Sequence, residues 1–233
     1  MCHGEPSPYF PEPIVDGEFS AEVEGLAFGS ETALTRIAVI PDIYGLNQFY
    51  RGFCTHLASK GGRVFLVDPF ANLGGLREIT REAAFARRMK VCDKAFVDRF
   101  QAFCTSHKIG GVVGFCLGGY YVFELARRDV SQDLVGFYGF PQGMQNIDPL
   151  PTPFDYLASI KKPHTCLMPG QDQSVGVENV KRLGEMATTN PSLKLKIYEA
   201  SGHGFLKDLD SEDAQLRSNA EDALATCESA FRL

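Results

Sequence analysis

The chain has 233 residues, 44% hydrophobic and 22% charged, which is enough apolar content to bury the core of an ordinary globular protein. A formal net charge of −6, with Lys and Arg scattered rather than clustered, argues against a nucleic-acid partner. Apolar runs stop after about four residues, far short of the roughly 20 that span a bilayer, so no membrane segment is expected.

The opening residues, MCHGEPSPYFPEP, carry neither a basic start nor an apolar stretch. No secretory signal is read there, and a cytoplasmic location is the expectation. The seven cysteines are odd in number, dispersed, and lack CxxC or zinc-ligand spacing, which fits free thiols in a reducing compartment. Residues 1–33 read as an N-terminal tail and an edge β-hairpin, with short β-like pieces around 21–28. Residues 34–233 read as a single α/β domain. Within it, short apolar runs predict strands at 37–40, 64–67, 112–115, 134–138, 165–168 and 195–198. Helical spacing of apolar positions predicts helices at 48–60, 80–106, 119–128, 177–188 and 211–231. This alternation is the pattern of a doubly wound, mostly parallel sheet with helices on both faces.

Strand ends carry the chemistry, because ligands of open α/β sheets bind beyond the carboxyl ends of the strands. After the run 112–115 comes Gly114-Phe115-Cys116-Leu117-Gly118-Gly119 and then a helical pattern. This is a nucleophile elbow of the α/β-hydrolase type, with cysteine where serine usually stands. The turn is strained, so its close neighbours must be small, and Gly114 and Gly118 meet that need. A sulfur at a helix N-terminus is favoured as thiolate by the helix dipole, and the Leu117 N–H faces a developing oxyanion. Taken alone, the motif also fits a buried cysteine in a Gly-rich turn.

Two later strand ends supply partners in the order nucleophile, acid, histidine. Asp172 follows the run 165–168, and His203, flanked by glycines, follows 195–198. In isolation Asp172 reads as a turn former and His203 as a solvated loop residue. Together they complete a triad in which His203 accepts the thiol proton and Asp172 fixes its tautomer. The histidines at 3, 56, 107 and 164 read as structural or solvated. Tyr44 and Phe205 flank these positions and are candidates to line the pocket, with plain packing as the alternative.

The strings GFCLGG around Cys116, PGQDQSV around Asp172, SGHGF around His203 and PDIYGLN at 41–47 resemble bacterial dienelactone hydrolases over roughly residues 36–230. The resemblance implies an α/β-hydrolase fold, hydrolysis of dienelactone to maleylacetate, and no metal or organic cofactor. It places the oxyanion hole at the N–H groups of Leu117 and Ile43, and a thiolate-regulating acid at Asp42, where the family has glutamate. It assigns substrate contacts to Arg81, Phe85 and Lys207. Phe85 stands where the family has tyrosine, Lys207 where it has a second arginine, and Gly204 where it has serine. Lysine keeps the charge but loses bidentate geometry for a carboxylate.

Three functions remain open on the sequence. The first is a hydrolase of a small carboxylated lactone or ester working through a thioester, as a monomer or weak homodimer. The second is a carboxylesterase or thioesterase of the same family with another substrate. The third is a non-catalytic binding or redox-sensing module, since a cysteine at a helix N-terminus also suits oxidation.

Overall fold

The computed structural model describes residues 7–233. Residues 1–6, with Cys2 and His3 and the start of the expected tail, lie outside the described residues. Eight strands form one sheet: β1 (Gly17–Ser20), β2 (Glu24–Phe28), β3 (Thr35–Ile40), β4 (Gly62–Val67), β5 (Gly111–Phe115), β6 (Asp133–Phe137), β7 (His164–Pro169) and β8 (Leu193–Tyr198). Their spatial order is β1-β2-β4-β3-β5-β6-β7-β8. Pairing is parallel from β4 through β8, and the β1–β2 hairpin adds antiparallel to β4 at one edge. The six predicted inner strands match β3 to β8, and the sheet is of the doubly wound, mostly parallel kind that the pattern predicts.

Alternation along the strands divides the core between two faces. In β3, Ile37 and Val39 pack with Phe49 and Phe53 of α1 (Gln48–Ser59) and with Ala223 and Leu224 of α6 (Ala214–Phe231). Ala38 and Ile40 point the other way. They join α3 (Asp93–Ser106), α4 (Leu117–Arg127) and α5 (Val177–Thr189).

The predicted helix at 80–106 is two helices, α2 (Arg81–Arg88) and α3. A tight turn at 89–92 separates them, with the Lys90 N–H on the Arg87 carbonyl (3.0 Å) and the Val91 N–H on the Arg88 carbonyl (3.1 Å). No Gly or Pro marks this break. It is held from outside, by a buried ion pair between Arg88 Nη2 and Asp93 Oδ2 at 2.6 Å, to which the Tyr121 hydroxyl of α4 adds a hydrogen bond at 2.5 Å. The predicted helix at 211–231 starts later. Asp213 caps α6 by accepting the N–H groups of Gln215 (2.8 Å) and Leu216 (3.1 Å), and a 3₁₀ helix (Phe205–Asp210) precedes it.

Candidate active site

Cys116 sits between β5 and α4 with φ 54° and ψ −103°. A positive φ in a non-glycine residue is strained, and the surroundings over-determine it. The Cys116 N–H donates to the Phe137 carbonyl (3.0 Å), and its carbonyl accepts the Tyr120 N–H (3.0 Å). A Cβ on Gly114 would press into the Gly118 carbonyl, and one on Gly118 into the Ile40 carbonyl. Glycine at both positions is thus required by close approach, which is why the elbow motif was legible.

The other two members of the expected triad hang from β7 and β8. Asp172 is fully buried, and its Oδ1 accepts the N–H groups of Ser174 and Val175, both at 2.8 Å. Its Oδ2 is left to face His203 Nδ1 at 2.7 Å. The Gln171 N–H donates to the Ser201 carbonyl (2.9 Å), tying the two loops together beside this pair. Rings of Tyr138 (4.9 Å between centroids) and Phe140 (5.8 Å) pack against the imidazole.

Cys116 and His203 line one cavity together with Ile43, Tyr44, Arg81 and Phe85. Phe140, Met144 and Ser174 complete its wall. The cavity measures about 80 Å³, against roughly 10–15 Å³ for one water on the same measure; it suits a small ligand. Asp42 is fully buried in the turn after β3, where its Oδ1 accepts the Tyr44 N–H at 2.8 Å. Leu117 is buried at the first position of α4, so its N–H belongs to the helix end next to the sulfur. The Arg81 guanidinium lies 5.3 Å over the Phe85 ring on the exposed rim.

Two expected pocket residues are placed elsewhere. Phe205 is fully buried in the core, tilted against Tyr198 (4.9 Å between centroids) and edge-on to Tyr138 (5.9 Å), so it supports the histidine loop from behind rather than lining the cavity. Lys207 projects to solvent from the 3₁₀ helix and is not among the lining residues. Its helical turn carries the side chain outward.

Sequence reasoning missed Phe140, Met144 and Ser174, although each follows the carboxyl end of β6 or β7, the rim on which Asp172 was sought. It also passed over Arg87, whose Nη2 donates to the Ile43 carbonyl at 2.9 Å. Burial pushes the Arg87 guanidinium down from its ordinary value, opposed by the nearby charges of Asp68 and Asp42.

Four of the other cysteines have another character. Burial pushes the Cys104 thiol up to about 12, and raises those of Cys54, Cys166 and Cys227 as well, so these side chains are inert packing groups. His56 pairs with Glu228 (2.7 Å), His107 stacks on Phe103 (4.3 Å), and His164 is buried against the Lys162 carbonyl (2.9 Å); none lines the cavity. Among the described residues no group of three His, Cys, Asp or Glu side chains is placed to hold a metal ion. No described helix is long and apolar enough to cross a membrane.

Comparison with known proteins gives the family and the fold. Residues 23–232 match the dienelactone hydrolase family. The chain belongs to that family. Over 214 residues it is 46% identical to carboxymethylenebutenolidase 2 of Cupriavidus pinatubonensis, covering 91% of each chain. It is 28% identical over 194 residues to the carboxymethylenebutenolidase of Rhodococcus opacus, covering 80% of this chain and 76% of the relative. A crystal structure described as a dienelactone hydrolase from Klebsiella pneumoniae superposes with a TM-score of 0.77 at 19% identity, covering 93% and 97%. A Thermus thermophilus structure superposes at 0.63 and 14% identity, covering 93% and 98%. At such identities the last two speak for the fold alone.

Proposed function

We propose that this family member opens a small carboxylated lactone or ester through Cys116, His203 and Asp172. The observation that carries the proposal is the shared cavity. A strained cysteine at a helix N-terminus faces the same space as an imidazole whose other nitrogen is held by a buried carboxylate. The carboxymethylenebutenolidase relatives supply the substrate class.

In this mechanism the Cys116 sulfur, its proton passed to His203, attacks the lactone carbonyl carbon. The charge gathering on the carbonyl oxygen is met by the Leu117 and Ile43 N–H groups. Collapse breaks the ring C–O bond, the leaving oxygen takes the proton from His203, and a thioester to Cys116 remains. Water then attacks the thioester while His203 removes its proton, and the carboxylate product leaves as the thiol reforms. Asp172 fixes the His203 tautomer and stabilises its protonated form. Among the described residues Arg81 is the one Lys or Arg side chain in the cavity wall, and it holds the substrate carboxylate, with Tyr44 and Phe85 beside it. Asp42, buried in the turn that carries Ile43 and Tyr44, is the acid that regulates the thiolate.

A second reading, an esterase for less charged substrates, is favoured by the position of Lys207 outside the cavity and by the half-exposed Phe85 ring on its rim. Six free cysteines among the described residues are in keeping with a reducing, cytoplasmic setting, and the enzyme acts as a monomer or weak homodimer. Turnover of cis- and trans-dienelactone is measured beside nitrophenyl esters, with Cys116→Ala as control. The proposal expects dienelactone to be preferred and the variant to be inactive. Better turnover of uncharged esters selects the second reading, and an active variant defeats both.

A further inference from the structure

The turn that follows β3 holds Ile43, and something must hold the turn. Its Ile43–Tyr44 peptide is gripped at both ends. The Tyr44 N–H donates to Asp42 Oδ1 (2.8 Å), and the Ile43 carbonyl accepts from Arg87 Nη2 (2.9 Å). The Gly45 N–H closes the turn on the Asp42 carbonyl (3.1 Å).

Arg87 is itself fixed from three sides. Its Nη1 donates to the Gly74 carbonyl (3.1 Å), its guanidinium lies 4.0 Å over the Phe70 ring, and it faces the carboxylates of Asp68 and Asp42. Phe70 is fully buried, and Asp68 Oδ1 accepts the Phe70 N–H at 2.8 Å, so the platform under the guanidinium is rigid. A side chain in the last turn of a surface helix rarely gives up its solvation to two backbone carbonyls without a structural purpose. Here the purpose is legible from the target, because one of those carbonyls belongs to Ile43, a residue of the cavity wall.

We propose that Arg87 is a positioning residue that sets the Ile43 N–H as an oxyanion donor by clamping the Ile43–Tyr44 peptide. The inference rests on the thioester mechanism above. It adds a residue that touches neither substrate nor sulfur. With the clamp removed, the Ile43–Tyr44 peptide keeps only its hydrogen bond to Asp42, the Ile43 Cα and the Asp42–Ile43 peptide attached to it can shift, and a displacement of that N–H on the order of 1 Å costs about 10²-fold in rate. Lysine offers a compact ammonium in place of a planar fork, so it cannot reproduce the spacing and direction with which the guanidinium reaches both carbonyls.

Arg87→Met and Arg87→Lys are compared with wild type for kcat and KM on trans-dienelactone and 4-nitrophenyl acetate. In parallel, the rate of Cys116 alkylation by iodoacetamide is followed, a displacement of iodide that builds no oxyanion. The expectation for Arg87→Met is a fall in kcat of roughly 30- to 100-fold, KM within about threefold, and alkylation within about twofold of wild type. Arg87→Lys falls between. Unchanged kcat overturns the proposal. So does a parallel fall of alkylation and turnover, which places the effect of Arg87 on the thiol. If Arg87→Met does not fold, Arg87→Lys carries the same comparison. Cys116→Ala is run alongside, since activity surviving in that variant would defeat the thioester mechanism and not the clamp.

Discussion

Asp172 divides its carboxylate between two tasks: one oxygen accepts two backbone N–H groups and the other faces His203. Replacing it by Asn keeps the shape, but one end of the amide becomes a donor. If the oxygen stays with the two N–H groups, the NH₂ confronts His203 Nδ1 and selects the wrong tautomer. Asp172→Asn is therefore expected to lower kcat by roughly 10³- to 10⁴-fold with little change in thermal stability, as measured by steady-state turnover and calorimetry. A loss of less than about tenfold would remove Asp172 from the mechanism. At this scale the sequence was readable wherever chemistry dictates a residue type beside glycine, as at Cys116 and His203. It misled at Phe205, because adjacency to His203 along the chain says nothing about direction, and the turn at Gly204 (φ 76°) sends the ring into the core.

Between α2 and α3 the chain shows what local pattern leaves out. The run 80–106 keeps a helical apolar period through the break, since Val91 is buried as a helical residue would be. The interruption is made by Arg88 and Asp93, and only their pairing with Tyr121 across space reveals it. Burial raises the Asp93 carboxyl above its ordinary value, and the Arg88 charge opposes this. Arg88→Met strands that carboxylate and is expected to cost about 3–5 kcal/mol in urea denaturation. Adding Asp93→Leu should recover at least half of the loss, since removing both charges relieves the desolvation that removing one exposes. Additive losses in the double variant would show that the two side chains do not act as a pair.

Across the molecule, one sheet brings three distant segments to one rim, with the proposed chemistry after β5, β7 and the edge strand β8 and none at the β1 edge. The doubly wound arrangement was legible because six short, largely apolar strands are interspersed with helices. The cavity wall was legible only in part, since Phe140, Met144 and Arg87 enter it or support it through tertiary packing. Global stability also has a titrating component in His164, buried at the start of β7, whose pKa is lowered chiefly by burial. The folded protein resists protonation at His164 while the unfolded chain accepts a proton near pH 6.5, so its contribution is full above that pH and lost as pH falls below it. His164→Gln is expected to flatten the fall in unfolding midpoint between about pH 7.5 and 5.5 relative to wild type. Parallel curves for the two proteins would assign the acid sensitivity to other groups.

The thioester is the step on which the whole account turns, and it can be caught. In His203→Asn the second half-reaction lacks its base, so brief exposure to an activated ester such as 4-nitrophenyl acetate, followed by peptide mass spectrometry, should show an acyl group on Cys116 that hydroxylamine removes. An acyl group found only on another residue, or hydrolysis that continues in Cys116→Ala, would contradict the account.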